Sequence, residues 1–343
     1  MQSISNIGID AYEPAPRGES LRKLQNGGAE RRGTLDKLRY AFACMMDFST
    51  FLLLLVPILI GYLIRLFVPA KKKKIAGQLA LVTGGANGLG RELCLQLAMK
   101  GCHIVVADLD TTNGEKTAED LRKLGVKAKC FKADISDYDS VVELKRQVES
   151  SLGNVDILVN NAGVLPLMSI REGKPEDLKK VMEINLLSHF WTIRVFVEGM
   201  AFRRKGHIIS IASASSYLPV GRLCSYVASK YGVRGLMEAF NDELYFDGLH
   251  EEVFTTTVYP TFMNTRKDLI NTLNTINILK RVPIISAKTI ARTTVNAMLR
   301  NEQHVFFPKW FGFMLTHYEH VPCEIRRLAR RIFLKREIPK LMK

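Results

Sequence analysis

The sequence has few of the features by which a disulfide framework or a metal site is recognised. Its six cysteines, at positions 44, 94, 102, 130, 224 and 323, form no Cys-x-x-Cys pair. Its seven histidines also lack the spacing of metal ligands. The sequence therefore predicts no metal, and the scattered thiols favour contact with the reducing cytosol over a disulfide-bonded fold.

Acidic residues are in deficit, because 34 Asp and Glu oppose 49 Lys and Arg and leave a formal net charge of +15. Such an excess attracts either nucleic acid or an anionic membrane surface. The sequence contains no zinc finger, helix-turn-helix or RNA-binding signature, and its positive charge clusters beside apolar segments. We therefore expect membrane lipids, and no nucleic acid, as a partner.

Charged residues are absent from one long run near the start of the chain, FSTFLLLLVPILIGYLI at 48–64. A helix of 17 residues is about 25 Å long, whereas the hydrocarbon core of a bilayer is about 30 Å thick. Extending the span to Val68, with the Arg65 side chain reaching the interface, closes the gap. A buried core helix is one alternative, and a shallow hairpin bent at Pro57 and Gly61 is another.

The segments around this run define the predicted domain organisation. Residues 1–40 contain Gly, Pro, Ser and mixed charge without periodicity, so we predict a disordered tail there and a membrane anchor over 41–70. No small-residue cleavage site follows the apolar run, which argues against a removed signal peptide. The lysine run at 71–74 favours a cytosolic position for the domain that follows, over 76–310.

From residue 79 onward, short apolar strands alternate with amphipathic helices. Strands are predicted at 79–83, 103–108, 128–134, 156–160, 207–212, 253–259 and 304–307. Helices are predicted at 88–101, 112–124, 138–151, 175–201, 225–245 and 287–300. The alternation predicts an α/β fold, a Rossmann-like doubly wound parallel sheet that forms a single domain with helices on both faces.

A glycine-rich turn, TGGANGLG at 83–90, follows the first strand and opens the next helix. Gly84, Gly88 and Gly90 permit a tight turn and a close approach of the backbone to a pyrophosphate. The helix N-terminus adds unpaired N–H groups and the positive end of the helix dipole. A glycine turn in this context predicts a dinucleotide site.

The ends of the next two strands indicate which dinucleotide binds. Asp108 ends the second strand, where a carboxylate accepts hydrogen bonds from an adenosine ribose diol and repels a 2′-phosphate. No basic residue lies at 107 or 109, and Asn87 in the turn is also uncharged. NAD is therefore predicted, with NADP less favoured, although Asp108 could instead cap a helix or turn. Asp134, at the end of the third predicted strand, is expected to reach the adenine edge.

The stretch CSYVASKYG at 224–232 places Tyr226 and Lys230 four positions apart. Residues with this spacing lie one above the other on a helix face. A tyrosine and a lysine in this arrangement are common on helices, so the pair alone does not indicate chemistry.

In their order along the chain, the motifs resemble those of the short-chain dehydrogenases/reductases. The matching residues are Thr83-Gly84-x-x-x-Gly88-x-Gly90, Asn160-Asn161-Ala162-Gly163, Asn185, Ser213 and Tyr226-x-x-x-Lys230. The resemblance covers about 76–310. The chain also looks like the membrane-associated group that contains epidermal retinol dehydrogenases and 17β-hydroxysteroid dehydrogenases. This closer resemblance rests on the anchor, on the lysine run with the glycine turn, and on the tail.

The resemblance implies a catalytic role for four residues. Tyr226 is the general acid/base that takes the alcohol proton as hydride passes to the nicotinamide. Lys230 lowers the pKa of the Tyr226 phenol and also holds the nicotinamide ribose. Lowering a tyrosine pKa from near 10 to near 7 requires about 4 kcal/mol of preferential phenolate stabilisation. Ser213 bonds the substrate oxygen, and Asn185 holds a water that relays the proton through Lys230.

Two further serines, Ser215 and Ser216, are rivals of Ser213, although their spacing to Tyr226 fits the family less well. The cofactor contacts that the resemblance implies are Thr83, Gly84, Asn87, Gly88, Leu89, Gly90, Asp108, Asp134, Ile135, Asn161, Ala162, Gly163, Tyr226, Lys230, Pro260 and Thr265. The family often has glycine after the proline at 260, where this chain has Thr261. The loop that carries Thr265 is therefore expected to differ.

Apolar residues are frequent in the last third of the chain. The segment 261–285 is the predicted substrate lid, and its apolar residues are Phe262, Met263, Leu269, Ile270, Leu273, Ile276, Ile278 and Leu279. The stretch FFPKWFGFML at 306–315 contains five aromatic residues, which either pack under the sheet edge or contact membrane or substrate. Within 311–343, Ile325, Leu328 and Ile332 share one helix face and arginines occupy the rest, a pattern typical of an interfacial amphipathic helix.

These features predict an NAD-dependent oxidoreductase that interconverts a lipophilic alcohol, of the retinoid or steroid type, and its carbonyl. The alternatives are a reductase of long-chain 3-oxoacyl or sphingoid ketones, and a non-catalytic scaffold on a membrane or lipid droplet. The predicted location is the endoplasmic reticulum membrane with the catalytic domain facing the cytosol, or else the lipid droplet surface. The family further implies a homodimer formed through two long helices.

Overall fold

An apolar helix and an α/β domain form the two units of the structure, and the chain divides between Ala70 and Lys71. The structure is a computed structural model that describes residues 34–67, 70–166, 168–263, 284–318 and 320–334. Most of the tail predicted at the start of the chain, residues 1–33, lies outside this range. The same is true of the greater part of the predicted lid.

The first unit contains one continuous helix, α1 (Thr34–Phe67), which runs through Pro57. Its segment Arg39–Gly61 is long and apolar enough to cross a membrane, and none of it is buried against the rest of the described chain. Because α1 begins at Thr34, the prediction of disorder up to residue 40 is wrong for its last seven residues. The first turns contain leucine, lysine and arginine, which favour helix before the apolar run begins.

Two hydroxyl side chains within α1 form hydrogen bonds to the helix itself. The hydroxyl groups of Ser49 and Thr50 donate to the carbonyl oxygens of Met45 and Met46, one turn earlier, at 2.8 Å in each case. A hydroxyl bonded in this way presents little unpaired polarity to a hydrocarbon environment. The two residues are therefore compatible with a membrane span.

Seven parallel strands form the sheet of the second unit. They are β1 (Leu79–Thr83), β2 (His103–Asp108), β3 (Ala128–Lys132), β4 (Ile157–Asn160), β5 (Gly206–Ile211), β6 (Val253–Tyr259) and β7 (His304–Phe306). Their order across the sheet is β3-β2-β1-β4-β5-β6-β7. The order reverses between β1 and β4, so the carboxyl ends of these two strands flank the crevice in which open α/β sheets bind ligands.

Nine helices of the described chain accompany the sheet. They are α2 (Gly88–Ala98), α3 (Thr111–Arg122), α4 (Tyr138–Ser151), α5 (Pro175–Met182), α6 (Ser188–Phe202), α7 (Cys224–Phe246), α8 (Ala287–Met298), α9 (Lys309–Tyr318) and α10 (Cys323–Leu334). The helix predicted over 175–201 is present from Pro175 to Phe202, and a π-helical turn (Glu183–Leu187) that was not predicted joins α5 to α6. Such turns insert an extra residue into a helix and are frequent at functional sites.

Two hydrophobic cores cover the two faces of the sheet. On β1, Ala80 and Val82 face a core that contains residues of α2, α3 and α8. Leu79 and Leu81 face the opposite core, which contains residues of α4, α6 and α7. Alternate residues of a strand point to opposite faces, so a strand buried on both sides is apolar throughout. Truncating a fully buried leucine such as Leu81 to alanine would cost about 2–5 kcal/mol.

The domain itself binds part of the lysine run at 71–74. Lys73 Nζ lies 2.8 Å from His207 Nδ1 on β5, and Lys72 Nζ donates to Asn296 Oδ1 on α8 at 2.8 Å. Burial lowers the pKa of Lys73 to about 8. Burial and the nearby Lys73 lower the pKa of His207 far below its usual value, so the neutral imidazole accepts from the ammonium. Two of the four lysines therefore bind protein, which reduces the charge available to a membrane surface.

Candidate active site

The glycine-rich turn after β1 adopts a backbone conformation that glycine tolerates and other residues do not. Gly84 and Gly88 have φ angles of 64° and 55°, in the left-handed region that disfavours other side chains. A Cβ at Gly84 would lie 2.9 Å from the Cα of Ala162, and a Cβ at Gly90 would overlap the carbonyl oxygen of Gly84. The turn therefore packs against the loop after β4 and leaves a narrow cradle above the sheet.

Helix α2 begins at this cradle without a side-chain cap. The exposed Asn87 precedes it, but the Asn87 side-chain amide donates to Asp110 Oδ2 at 3.1 Å instead of bonding its own helix. An uncapped N-terminus is suited to an anion such as a pyrophosphate. Leu89, one of the predicted cofactor contacts, is almost fully buried and anchors the start of α2 in the core.

Thr83 and Asn161 join the turn to the loop after β4. The Thr83 hydroxyl accepts from the N–H groups of Asn161 and Ala162, at 3.0 and 3.2 Å. In return, the Asn161 amide nitrogen donates to the carbonyl oxygens of Thr83 and Gly84, at 2.9 and 3.1 Å. Both side chains are thus engaged within the protein, and they position the backbone of Ala162 and Gly163 beside the turn.

Asp108 serves as a support for two loops. Its Oδ2 accepts from the N–H of Ala86 in the turn, and its Oδ1 accepts from the N–H of Asp110, both at 3.0 Å. Each carboxylate oxygen has a further lone pair, so Asp108 can also accept from a ribose hydroxyl. The turn-capping role and the ribose-binding role are therefore compatible.

Asp134 lies beyond the end of β3, because that strand stops at Lys132 rather than at 134 as predicted. Its Oδ1 accepts from the N–H and the hydroxyl of Ser136, at 2.9 and 2.6 Å. The carboxylate therefore belongs to a tight turn, while the adjacent Ile135 is buried against the sheet. Any contact with an adenine ring at this position would come from the backbone of this turn or from the free Asp134 lone pairs.

Tyr226, Ser213 and Lys230 meet at the carboxyl end of β5. Helix α7 carries Tyr226 and Lys230 one turn apart, with Lys230 Nζ 5.9 Å from the centre of the Tyr226 ring. The Ser213 hydroxyl forms a hydrogen bond with the Tyr226 phenol. Lys230 is buried and donates to the carbonyl oxygen of Ile211, the last residue of β5, at 2.8 Å. Tyr226 and Lys230 of α7 therefore form one cluster with Ser213.

The rival serines occupy other positions. The Ser216 hydroxyl donates to the backbone carbonyl of Lys230 at 2.8 Å, so it supports the backbone of α7. The N–H of Ser215 donates to Ser213 Oγ at 3.1 Å and fixes the orientation of that hydroxyl. Of the three serines, Ser213 is the one that contacts the phenol.

The ionisation of the cluster depends on burial. Burial raises the pKa of the Tyr226 phenol, and the hydrogen bond with Ser213 opposes this rise. Burial lowers the pKa of Lys230 to about 8. Burial therefore opposes the charged form of both groups. Activation requires positive charge at the site when the phenol ionises.

Asn185 lies in the π-helical turn and is fully buried. Its Oδ1 accepts from the N–H of Val164, and its Nδ2 donates to the carbonyl of Val164, both at 2.8 Å. The same Nδ2 donates to Ser229 Oγ at 3.2 Å. Since both Nδ2 hydrogens are engaged, a relay water at this place would bind the second lone pair of Asn185 Oδ1 or the backbone of the turn.

Gly163 brings the parts of the site together. A Cβ at this position would lie 3.2 Å from Asn185 Oδ1 and 3.7 Å from Lys230 Nζ. The loop after β4, the π-helical turn and α7 therefore converge within van der Waals distance. Any larger residue at 163 would intrude between the amide and the ammonium.

The loop after β6 is described only in part. The carbonyl oxygen of Pro260 accepts from the N–H of Ala214 at 2.9 Å, which fixes the loop beside Ser213. Thr265 and the lid residues from 264 to 283 lie outside the described residues. Phe262 and Ile285 lie on either side of this segment. The N–H of Ile285 donates to the carbonyl of Phe262 at 3.0 Å, so the two ends of the segment lie next to each other.

Two residues around the site are not recognisable from the sequence. Ser229 is fully buried, and its hydroxyl donates to the carbonyl of Tyr226 at 2.7 Å while accepting from Asn185. His189 is also buried and lies within the electrostatic range of Lys230. A serine within a helix and a histidine on an apolar face are common, so the pattern contained no signal for either.

Known proteins are similar to this chain in sequence and in fold. A family model described as short chain dehydrogenase matches residues 78–270. Estradiol 17-beta-dehydrogenase 11 of Mus musculus is 32% identical over 296 residues, which are 84% of this chain and 97% of the mouse protein. The 17-beta-hydroxysteroid dehydrogenase 13 of Homo sapiens is 30% identical over 285 residues, which are 82% of this chain and 92% of the human protein.

Solved structures match the same domain. A short chain dehydrogenase/reductase from Burkholderia phymatum, in complex with NAD, has a TM-score of 0.66 and 23% identity, and the match covers 74% of this chain and 96% of that one. A metagenomic short-chain oxidoreductase in complex with NADP has a TM-score of 0.57 and 25% identity, with coverage of 68% and 96%. The first likeness establishes the fold.

Two glycine substitutions test the role of the cradle. In Gly90→Ala the added methyl group would overlap the turn, so we expect the unfolding free energy to fall by about 1–3 kcal/mol and dinucleotide affinity to weaken. In the control, Gly235→Ala on α7, nothing lies within 4 Å of the added group, and we expect a gain of about 0.5–1 kcal/mol with unchanged affinity. Chemical denaturation measures the unfolding free energy, and dinucleotide fluorescence measures the affinity. Equal stability and equal affinity in the two variants would contradict the assignment of this turn as a dinucleotide cradle.

Proposed function

Because the chain belongs to the short-chain dehydrogenase family and is an oxidoreductase acting on CH–OH groups, we propose that it oxidises a lipophilic alcohol to its carbonyl with NAD. The observation that carries this proposal is the meeting of Ser213, Tyr226 and buried Lys230 at the carboxyl end of β5. The same edge of the sheet carries the uncapped glycine turn. Acid/base groups and a dinucleotide cradle thus open onto one crevice.

The residues of the cluster divide the chemistry among them. The Ser213 hydroxyl orients the alcohol oxygen toward Tyr226, and the ionised phenol accepts the alcohol proton. A bound nicotinamide supplies the hydride acceptor and a positive charge. Lys230 adds a second positive charge beside the phenol, which lowers the free energy of the phenolate. The proton then leaves through Lys230 and the backbone around Asn185.

Asp108 supports the choice of NAD over NADP. Its carboxylate lies beside the glycine turn, where it would repel a phosphate on the adenosine ribose. Neither neighbour at 107 or 109 is basic. Cells hold NAD mostly in its oxidised form, so oxidation of the alcohol is the favoured direction.

Apolar residues around the site support a lipophilic substrate. Val164, Ile170 and Val220 are 38%, 60% and 40% exposed on the loops beside the crevice. These loops are joined by a hydrogen bond from the N–H of Met168 to the carbonyl of Arg222, at 3.1 Å. The names of the two curated relatives, an estradiol dehydrogenase and a hydroxysteroid dehydrogenase, favour a steroid alcohol within this class.

Membrane contact is the second part of the proposal, and helix α1 supports it as a candidate span. The last two helices add an apolar surface, because Trp310, Phe313 and Met314 of α9 are 63%, 71% and 57% exposed. On α10, the exposed Ile325, Leu328 and Ile332 lie among arginines. Apolar side chains next to cations match an anionic lipid interface. We place the protein at the endoplasmic reticulum membrane with its catalytic domain in the cytosol, or at lipid droplets.

Helices α6 and α7 also expose large apolar residues. Phe202 is 91% exposed at the end of α6, and Phe246 is 85% exposed at the end of α7. Isolated side chains of this kind are normal on protein surfaces, but two on neighbouring long helices favour an interface. A homodimer through these helices is therefore part of the proposal.

The function depends on the Tyr226 hydroxyl, which Tyr226→Phe removes with little change in shape. We expect turnover of a hydroxysteroid or retinol with NAD to fall about 10²–10⁴-fold. The matched control is Tyr245→Phe, because Tyr245 is exposed on the same helix and should leave turnover unchanged. NADH formation by membrane-embedded protein measures both. Full turnover by the Tyr226 variant would refute the assignment, and binding without turnover across many alcohols would favour a scaffold.

The cofactor choice depends on the charge of Asp108, which Asp108→Asn removes while keeping the shape. We expect NADH to bind more weakly and NADPH more tightly, because the repulsion of the 2′-phosphate is lost. Asp110→Asn is the control, since Asp110 caps α3 and contacts the same turn through Asn87. It should loosen the turn without changing the ratio of the two affinities. A chain that already prefers NADPH before mutation would contradict the proposal and favour the ketone reductase.

The lipid contact can be measured through tryptophan fluorescence, because the chain has two tryptophans. Trp310 is exposed on α9, whereas Trp191 is partly buried and packs edge-on against Tyr138 at 5.5 Å. In Trp191→Phe the remaining Trp310 should be quenched by brominated lipids in anionic vesicles. In the control Trp310→Phe, the remaining Trp191 should be protected. Equal quenching in the two variants would argue against contact through α9.

A further inference from the structure

Ser229 of α7 is fully buried and stands directly before Lys230 in the chain. Its hydroxyl donates to the carbonyl oxygen of Tyr226 at 2.7 Å, a bond within its own helix. It also accepts from Asn185 Nδ2 at 3.2 Å, across 44 positions of the chain. A serine inside a helix commonly forms the first kind of bond alone. The second bond makes Ser229 a link between α7 and the π-helical turn.

Ser188, at the start of α6, shows the ordinary arrangement. It is 3% exposed, and its hydroxyl donates to the carbonyl oxygen of Ile184 at 2.6 Å. Among the described residues, no other side chain bonds this hydroxyl. Ser188 and Ser229 therefore share burial and a bond within the helix, and they differ in the link to a second element. This difference makes Ser188 a matched control.

The direction of the bonds around Ser229 determines which way the Asn185 amide faces. A serine hydroxyl has one hydrogen, and Ser229 donates it to Tyr226, so Ser229 can only accept from Asn185. Val164 requires the same orientation, because its N–H donates to Asn185 Oδ1 and its carbonyl accepts from Nδ2. In the reversed amide, the oxygen would face a carbonyl oxygen and a hydroxyl with no hydrogen to offer.

The amide oxygen held in this way borders the space beside the catalytic lysine. A Cβ at Gly163 would lie 3.2 Å from Asn185 Oδ1 and 3.7 Å from Lys230 Nζ, so the two atoms line the same small gap. An acceptor oxygen next to this gap favours an ammonium in it, whereas the N–H groups of a reversed amide would oppose one. Gly163 is adjacent in the chain to Val164, and Lys230 is adjacent to Ser229. The hydrogen-bonded residues thus position both walls of the gap.

A different contact sets the distance between α7 and the π-helical turn. A Cβ at Gly232 would lie 2.6 Å from the side chain of Leu186, so Leu186 packs directly on the backbone of α7. Because interiors are closely packed, this contact keeps the two elements apart when a single hydroxyl is removed elsewhere. Ser229→Ala therefore removes the link and retains the packing.

We propose that Ser229 is a positioning residue: by linking α7 to the π-helical turn, it holds the Asn185 amide oxygen at the gap that this atom shares with Lys230 Nζ. The effect on turnover rests on the function proposed above, in which the alcohol proton leaves through Lys230 and the surroundings of Asn185. The orientation of the amide does not depend on that function.

NMR of the asparagine side chains tests the orientation without cofactor or turnover. In full-length protein labelled with ¹⁵N-asparagine, Asn185→Asp identifies the Asn185 signal by its loss. In Ser229→Ala one amide hydrogen loses its acceptor, so we expect its resonance to shift upfield and its exchange with solvent to become faster. Ser188→Ala should change neither. An unchanged Asn185 signal in Ser229→Ala, or equal changes in the two variants, would overturn the proposal.

The consequence for turnover is a fall in kcat of about tenfold in Ser229→Ala, the size expected when one buried hydrogen bond that positions a catalytic group is lost. The affinity and stoichiometry of NADH binding should stay unchanged, because this hydroxyl bonds protein groups. In an Asn185→Ala background the same substitution should cost nothing further, since Ser229 acts through Asn185. Additive losses in this double-mutant cycle would overturn the proposal.

A second variant, Ser229→Cys, covers the case in which Asn185→Ala does not fold. A thiol is a weaker donor and acceptor than a hydroxyl, so kcat and the Asn185 resonance should lie between those of serine and alanine. A packing role would instead make the larger cysteine the more harmful replacement, and that order would overturn the proposal. Absence of turnover with every alcohol and NAD would refute the proposed function and leave the NMR result intact.

Discussion

The site depends on an ammonium group held out of water. Removing such a group from solvent costs several kcal/mol unless partners compensate, and Lys230 finds its partner in the carbonyl of Ile211 at the end of β5. This bond fixes the distance between α7 and the sheet, and with it the place of Tyr226. Gly163 keeps the space beside the ammonium open, and Asn185 holds the loop that carries this glycine. The parts of the site are therefore parts of one packing arrangement.

Much of this arrangement follows from local sequence. Strands of a parallel sheet are buried on both faces, so they are short apolar runs that stand out between amphipathic helices. All seven strands and all six helices of that prediction are present with small errors at their ends, and the π-helical turn within 175–201 was not predicted. The glycine turn is also local, because its left-handed residues and its close contact at Gly90 each require glycine. The sequence also identified Tyr226 and Lys230, through their spacing on α7 and their resemblance to a family pattern.

The features that could not be predicted depend on contacts between distant residues or on a single inserted residue. The π-helical turn at Asn185 interrupts the predicted helix over 175–201, yet one extra residue hardly changes a periodicity of 3.6. The lysine run looks like free membrane charge until Lys73 is seen to bind His207, 134 residues away. In the same way, three serines lie within four positions, and only the fold shows that Ser213 meets Tyr226 while Ser216 meets the backbone of Lys230.

Packed aromatic rings join α9, which is proposed to contact lipid, to the loop after β5 that carries Ser213. Gly312 of α9 lies so close to Phe306 that a Cβ there would be 2.6 Å from its ring. The Phe306 ring in turn lies 5.7 Å from Tyr217, whose carbonyl accepts from the Tyr231 hydroxyl on α7. Tyr217 follows the segment 213–216 that orients the phenol. Closely packed side chains therefore connect α9 to the loop that carries Ser213.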